Sequence, residues 1–247
     1  MTTPFVEAWR TIAPKRDDPH GPLPPLLVTL TVVTGLVDAF SYLTLGHVFV
    51  ANMTGNLVFL GFAIAGAPGF SVLASLLALA SFAAGSLLGG RLVVVITGDR
   101  GRLLTWAISI QIVLVAAATV VRIIVGSDSS SAGHYTLIFL LAASMGLQNA
   151  TVRKIAVPDL TTTVLTLTTT AIFADTRLIG GPGSKAGRRV VSITAMFVGA
   201  LVGATLVVHA SSTIVLVAAL AMLVAVAVAV AVATGALSRN RPSWSTA

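Results

Sequence analysis

The sequence has no cysteine, which excludes disulfides, thiolate catalysis and cysteine-ligated metal or iron–sulfur sites, and leaves the redox compartment unread. It is also short of charge: 9% of its residues are charged, against roughly a quarter in a soluble domain. A chain so depleted cannot clothe itself in a polar surface. Carboxylates are scarcest, with 8 in 247 residues, and Asp38 is the only one between Asp18 and Asp99. The start of the chain lacks the apolar core of a cleavable signal, because residues 1–24 are polar and proline-rich, so the first apolar run stays as a membrane helix. No Ser/His/Asp arrangement, histidine-rich metal motif or nucleotide fingerprint occurs, and the glycine-rich stretch 180–187 follows no predicted strand. His47, His134 and His209 have no metal-ligand spacing. Neither an enzyme nor a cofactor is therefore expected.

What is present is apolar. Hydrophobic residues make up 56% of the chain, and the mean hydropathy is +0.98. The runs are long and continuous rather than alternating over ~10 residues, which favours membrane helices over a transmembrane barrel. The net charge of +7 is scattered between these runs. It therefore points to membrane orientation by the positive-inside rule, and not to nucleic acid.

The pattern predicts an all-α, polytopic transmembrane bundle. Residues 1–24 read as a cytoplasmic tail with a short helix around Trp9, 25–237 as a single transmembrane domain, and 238–247 as a second cytoplasmic tail. Long spans are expected at Leu26–Leu45, Phe70–Ile96, Leu103–Val125, Val190–Val208 and Thr213–Leu237, with a further apolar run at Tyr135–Ala150. Two shorter helices are expected between them. One follows an extended stretch, Gly46–Asn52, is capped by Asn52 or Thr54 and runs to about Ala67; the other is Thr161–Ala174.

The two sides of residues 126–133 resemble each other. Gly35-Leu36-Val37-Asp38-Ala39 aligns with Gly146-Leu147-Gln148-Asn149-Ala150, Met53-Thr54-Gly55-Asn56 with Leu165-Thr166-Leu167-Thr168, and Gly85–Gly89 with Gly199–Gly203. Shared order suggests two pseudo-symmetric halves, about 25–126 and 134–237. If both short helices enter the membrane and return, there are six crossings, and all 15 lysines and arginines except Arg122 lie on one side. If both cross, there are eight, and Arg91, Arg100, Arg102, Arg153 and Lys154 move to the other side. The positive-inside rule favours six, with inverted halves of the kind found in secondary transporters. Eight remains the alternative, since an extended stretch plus ~15 helical residues can just span.

Asp38 leads the functional candidates. A carboxylate at the centre of a span costs about 2.5–3.5 kcal/mol, and such residues default to functional sites. Asp38 can bind a cation, exchange a proton or pair with an amine; alternatively Thr34, Ser41 or a backbone amide holds it as a structural group. Its counterpart Asn149 is neutral. Asn52, Thr54, Gly55 and Asn56 stand at the start of a short helix, whose free N–H groups suit an anion; the plainer reading is a capped, closely packed helix end. Among the threonines of the second short helix, Thr163 and Thr166 are placed toward a cavity, although membrane threonines often bond back to their own helix. Gln148 serves equally as a ligand contact or an interhelical bond.

The combination Gly-x-x-Asp-Ala … Met-Thr-Gly-Asn and Gly-Leu-Gln-Asn-Ala … Thr-Thr-Val-x-Thr, over roughly residues 26–237, resembles the YoaK-like family of bacterial membrane proteins, a domain-of-unknown-function family. Members usually have Thr-Gly where this chain has Thr166-Leu167. The resemblance implies a multi-pass bacterial inner-membrane protein and supplies no substrate. The expectation is thus a small-solute secondary transporter or permease, with Asp38 as its titratable coupling or binding residue and both termini cytoplasmic. A channel and a non-transporting interaction or regulatory protein are the alternatives. The partners expected are the lipid bilayer and a small polar or anionic solute, with homo-oligomer formation left open.

Overall fold

The computed structural model describes residues 4–15, 18–126, 131–158, 160, 165–175, 186–235 and 244. Every regular element among the described residues is a helix: α1 (Pro4–Ile12), α2 (Leu23–Thr44), α3 (Met53–Ile64), α4 (Val72–Val95), α5 (Arg100–Val125), α6 (Ser131–Ile155), α7 (Leu165–Ala174), α8 (Ala186–His209) and α9 (Ser212–Gly235). Among them, α2, α4, α5, α6, α8 and α9 are long and apolar enough to cross a membrane. At 1.5 Å per residue, α3 and α7 are about half of the ~30 Å needed.

Several boundaries differ from the sequence reading by a few residues, α8 for example beginning at Ala186 and not Val190, and two of the differences have a plain reason. α2 begins at Leu23, ahead of Pro24 and Pro25, because prolines are harmless in a first turn whose N–H groups lack intrahelical acceptors. α6 does not stop at Ala150 but continues through Arg153 and Lys154 to Ile155. No helix breaker intervenes before Pro158, and the polar side chains there turn inward: Asn149 Nδ2 donates to Met145 O (2.9 Å) and Thr151 Oγ1 to Leu147 O (2.9 Å).

The long helices pack in exchanged pairs. α2 packs on α8, and α4 packs on α6. Both crossings are made by glycines that bring backbones together. A Cβ on Gly35 would lie 2.4 Å from Met196 O, and one on Gly199 2.2 Å from Val32 O. In the other pair, a Cβ on Gly146 would lie 2.1 Å from Phe82 O, and one on Gly85 1.9 Å from Ala143 O. Gly203 sits against Ala39, and Gly89 sits against Ala150. α2 and α6 form the interior, with 67% and 61% of their spans buried against 28–33% for the other four.

Helix directions decide the number of crossings. Gly199 meets Val32 and Gly203 meets Leu36, so α2 and α8 run parallel. Gly101 lies beside Thr234 and Arg122 bonds Ser212, so α5 and α9 run antiparallel. If both short helices crossed, α5 and α9 would be parallel; if only one crossed, α2 and α8 would be antiparallel. Six crossings satisfy both relations, and the eight-crossing alternative does not. The contact between His47 Nδ1 and Gly69 O (3.0 Å) agrees, because the chain returns after α3 to the level where it left α2.

One end of the bundle gathers the residues around 4–8, 21, 101, 187, 234 and 244. Gly187 approaches Pro4 and Ala8, and buried Trp244 covers Gly21 beside Gly101. Arg100 and Lys154 line one crevice at this end, and Arg188 donates to Pro158 O. Arg122 stands at the opposite end, bonded to Ser212 Oγ and Gly126 O.

Candidate functional site

Asp38 is 3% exposed and its carboxylate is fully engaged. After α2, Gly46 (φ 83) and His47 (φ 57) turn the chain back, and residues 48–52 run without helical hydrogen bonds beside the turn of α2 that carries Asp38. Backbone without secondary structure needs internal partners at membrane depth. Asp38 supplies them: Oδ1 accepts from Val50 N (3.0 Å) and Ala51 N (2.8 Å), and Oδ2 accepts from Asn52 Nδ2. Asn56, fully buried, completes the clamp by accepting from Phe49 N (2.8 Å) and donating to Phe49 O (2.6 Å). Three donors on one carboxylate offset part of the cost of burying it.

The other first-half candidates take their places around this clamp. Gly55 lies under the ring of Phe49, where a Cβ would come within 2.8 Å of Cδ2. Rings of Tyr42, His47, Phe49, Phe59, Phe62 and Phe70 then cover the turn, with neighbouring centroids 4.9–6.2 Å apart. Thr54 is exposed. Asn52 makes no side-chain cap on α3, although sequence offered it or Thr54 as the cap, because its side chain is turned to Asp38, to which its NH2 donates. Thr34 and Ser41 do not hold Asp38 either: each hydroxyl bonds to its own helix, at Leu30 O and Asp38 O.

Gln148 belongs to the core. Gln111 Nε2 donates to Gln148 Oε1 (2.7 Å), and Gln148 Nε2 donates to Thr34 Oγ1 (2.9 Å), a buried chain joining α5, α6 and α2. Sequence reasoning passed over Gln111, whose signal is a lone amide amid the apolar residues of α5.

The open space lies elsewhere. A cavity of about 1090 Å³ is bounded by α4, the end of α6, α7 and the start of α8. Asn149, Ser86 and Thr168 line it, with Arg153, Lys154 and Arg189 at its basic end. Arg189 ties α7 to α8, donating to Ala171 O (2.7 Å) and pairing with Asp175 (3.0 Å). Thr166 is exposed on α7 and is not among the lining residues. Thr163 lies outside the described residues. The described candidates Asp38, Asn52, Asn56 and Asn149 thus fall in two places: a filled clamp around the first three, and a cavity lined by Asn149. The reason is mutual satisfaction, since the acid and the donors leading into α3 occupy each other.

Residues 26–229 match the family described as Protein of unknown function (DUF1275). The chain belongs to this family. Over 152 residues it is 34% identical to the UPF0700 transmembrane protein YoaK of Bacillus subtilis (strain 168), an alignment covering 61% of this chain and 65% of the relative. It thus spans just under two thirds of that relative's length. No solved structure matches the chain. As a DUF1275 member with six long apolar helices, the protein is a multi-pass membrane protein. The likeness drawn from Gly35–Ala39 and Met53–Asn56 holds.

Proposed function

We propose that this protein is a secondary transporter of the bacterial inner membrane, carrying a small polar or anionic solute through the cavity beside Asn149. The reading takes the halves as an inverted duplication. It is supported by the matched glycine crossings, Gly35 with Gly146, Gly85 with Gly199 and Gly89 with Gly203. Inverted repeats with short membrane helices are a common transporter plan. The gathering of cations at the end that holds residues 4–8 and 244 favours cytoplasmic termini.

The observation that carries the proposal is the cavity lined by Asn149, the counterpart of Asp38. Asp38 precedes Ala39, which packs on Gly203; Asn149 precedes Ala150, which packs on Gly89. Asp38 is engaged by the segment that leads into α3, and Asn149 lines a cavity that reaches the basic end. A space of this kind suits access to a solute site from that side, with the clamp at Asp38 closed in this conformer. In the opposite conformer the lead-in to α3 lifts away, Asp38 is bared to protons, and α7 closes over Asn149. No chemistry on the solute is assigned.

The absence of cysteine makes thiol labelling direct. In proteoliposomes, Gly90→Cys should react with a membrane-impermeant maleimide from the basic side, and Ala51→Cys should react, more slowly, from the other. If Ala51→Cys stays inert from both sides while Gly90→Cys reacts, the protein does not alternate. The fully satisfied state of Asp38 favours a second reading, a membrane interaction or regulatory protein that moves nothing, and that result would select it.

A further inference from the structure

We infer that the cavity between α4, α6 and α7 takes an anionic amphiphile, with one carboxylate or phosphate head and a hydrocarbon chain. This deepens the transport reading by naming the class of its solute, but it stands on binding alone. The basic end holds Arg153 and Lys154 in the last turn of α6. Both side chains are exposed, and neither has an ion-pair partner among the described residues. Arg189 is already paired with Asp175, so it braces α7 and is not free for a ligand. Among the described residues no carboxylate lines the cavity, and Asp99 shares only the neighbouring crevice with Lys154, so Arg153 and Lys154 stand at the mouth outside any described ion pair.

Apart from Ser86, Asn149 and Thr168, the rest of the described wall is apolar. Phe82, Val93, Val152, Val157, Leu160 and Leu167 line it, and Leu167, 69% exposed, carries this wall onto the outer surface of α7. An inorganic anion would use the charges and waste the space, since about 1090 Å³ lies at the upper end of small-molecule sites, roughly 300–1,000 Å³. An uncharged hydrocarbon would leave the cations unanswered. A head on Arg153 and Lys154, with a chain running toward Leu167, matches both features. The same chemistry is found in a free fatty acid and in an anionic bilayer lipid.

The test uses the full chain carrying Gly90→Cys in a neutral detergent. Gly90 lines the cavity, and a Cβ there meets nothing within 4 Å. Maleimide labelling is followed with decanoate, decyl phosphate, decanol and inorganic phosphate. Decanoate and decyl phosphate should slow labelling about tenfold, while decanol and phosphate leave it unchanged. Arg153→Gln with Lys154→Gln should remove this protection, and Arg153→Lys with Lys154→Arg should retain it. Equal protection by decanol or by inorganic phosphate overturns the inference, and so does protection that survives the double glutamine variant. Slowing in phosphatidylglycerol nanodiscs, relative to phosphatidylcholine ones, assigns the site to a bilayer lipid; slowing only on adding decanoate assigns it to a free acid. Protection with no labelling of Ala51→Cys from the far side ends the transport reading and leaves the amphiphile site standing. Labelling from both sides with no protection does the reverse.

Discussion

Asp38 and Ala51 are 13 residues apart in the chain, yet the carboxylate of one accepts the backbone N–H of the other at 2.8 Å. The acid and the non-helical segment each present a problem in a membrane, and each answers the other. A buried charge needs donors, and a strand-like stretch with no sheet needs acceptors.

Asp38→Asn keeps the shape and removes the charge, which weakens the bonds from Val50 N and Ala51 N to the remaining oxygen and sets an NH2 against the Asn52 amide. Hydrogen bonds to charged groups contribute about 1.5–3 kcal/mol, so local opening of residues 48–52 should rise about ten- to a hundredfold. Hydrogen exchange in nanodiscs reads this directly at the Val50 and Ala51 amides. Unchanged protection there would mean that the carboxylate does not hold the segment.

Glycine substitutions should divide by crossing and not by conservatism. Gly85→Ala and Gly199→Ala push a methyl into Ala143 O and Val32 O. Each should lower the melting temperature of detergent-solubilised protein, since overpacking costs about 1–3 kcal/mol. Gly61→Ala on α3 meets nothing within 4 Å and should be neutral or stabilising by about 0.5–1 kcal/mol. Size-exclusion profiles after heating separate the two groups.

Gln111→Leu removes one bond of the buried chain and frees Gln148 Oε1. Polar contacts between membrane helices average about 0.6 kcal/mol, so a small loss of stability with full retention of fold is expected. A shift larger than that of Gly85→Ala would mean that the chain is more than interhelical glue.

α1 presents Phe5, Trp9 and Ile12, spaced i, i+4 and i+7, with 80%, 62% and 55% exposure. Its opposite side rests on Gly187 through Pro4 and Ala8. An apolar face of this kind lies in the headgroup region of a bilayer. With Trp106 and Trp244 replaced by Phe, fluorescence of Trp9 should be quenched by lipids brominated near the glycerol. Quenching equal to that in brominated-lipid-free vesicles would place the helix in water.

The long spans were legible because twenty apolar residues leave few alternatives in lipid, and Asp38 was legible because nothing nearby resembles it. Asn52 and Asn56 were singled out as well, yet as the start of a short helix whose free N–H groups suit an anion, or as a plain packed helix end. Their real partners lie across the turn at Gly46 and His47, and side-chain pairing over such a turn leaves no spacing rule to read. The apolar run ended at Ala150 in the sequence reading because charge follows it; Arg153 and Lys154 continue α6, since charge alone does not break a helix. Gln111 was overlooked because one amide hardly alters the hydropathy of a span.

The exchanged pairing of helices bears on how the protein is made. α2 emerges early, with the groove at Gly35 shaped for α8, which the ribosome has not yet supplied. Until the chain has passed Gly203, the most buried helix of the first half lacks the long helix that its glycine groove fits. Closure of the bundle therefore waits for the last fifth of the chain to leave the ribosome.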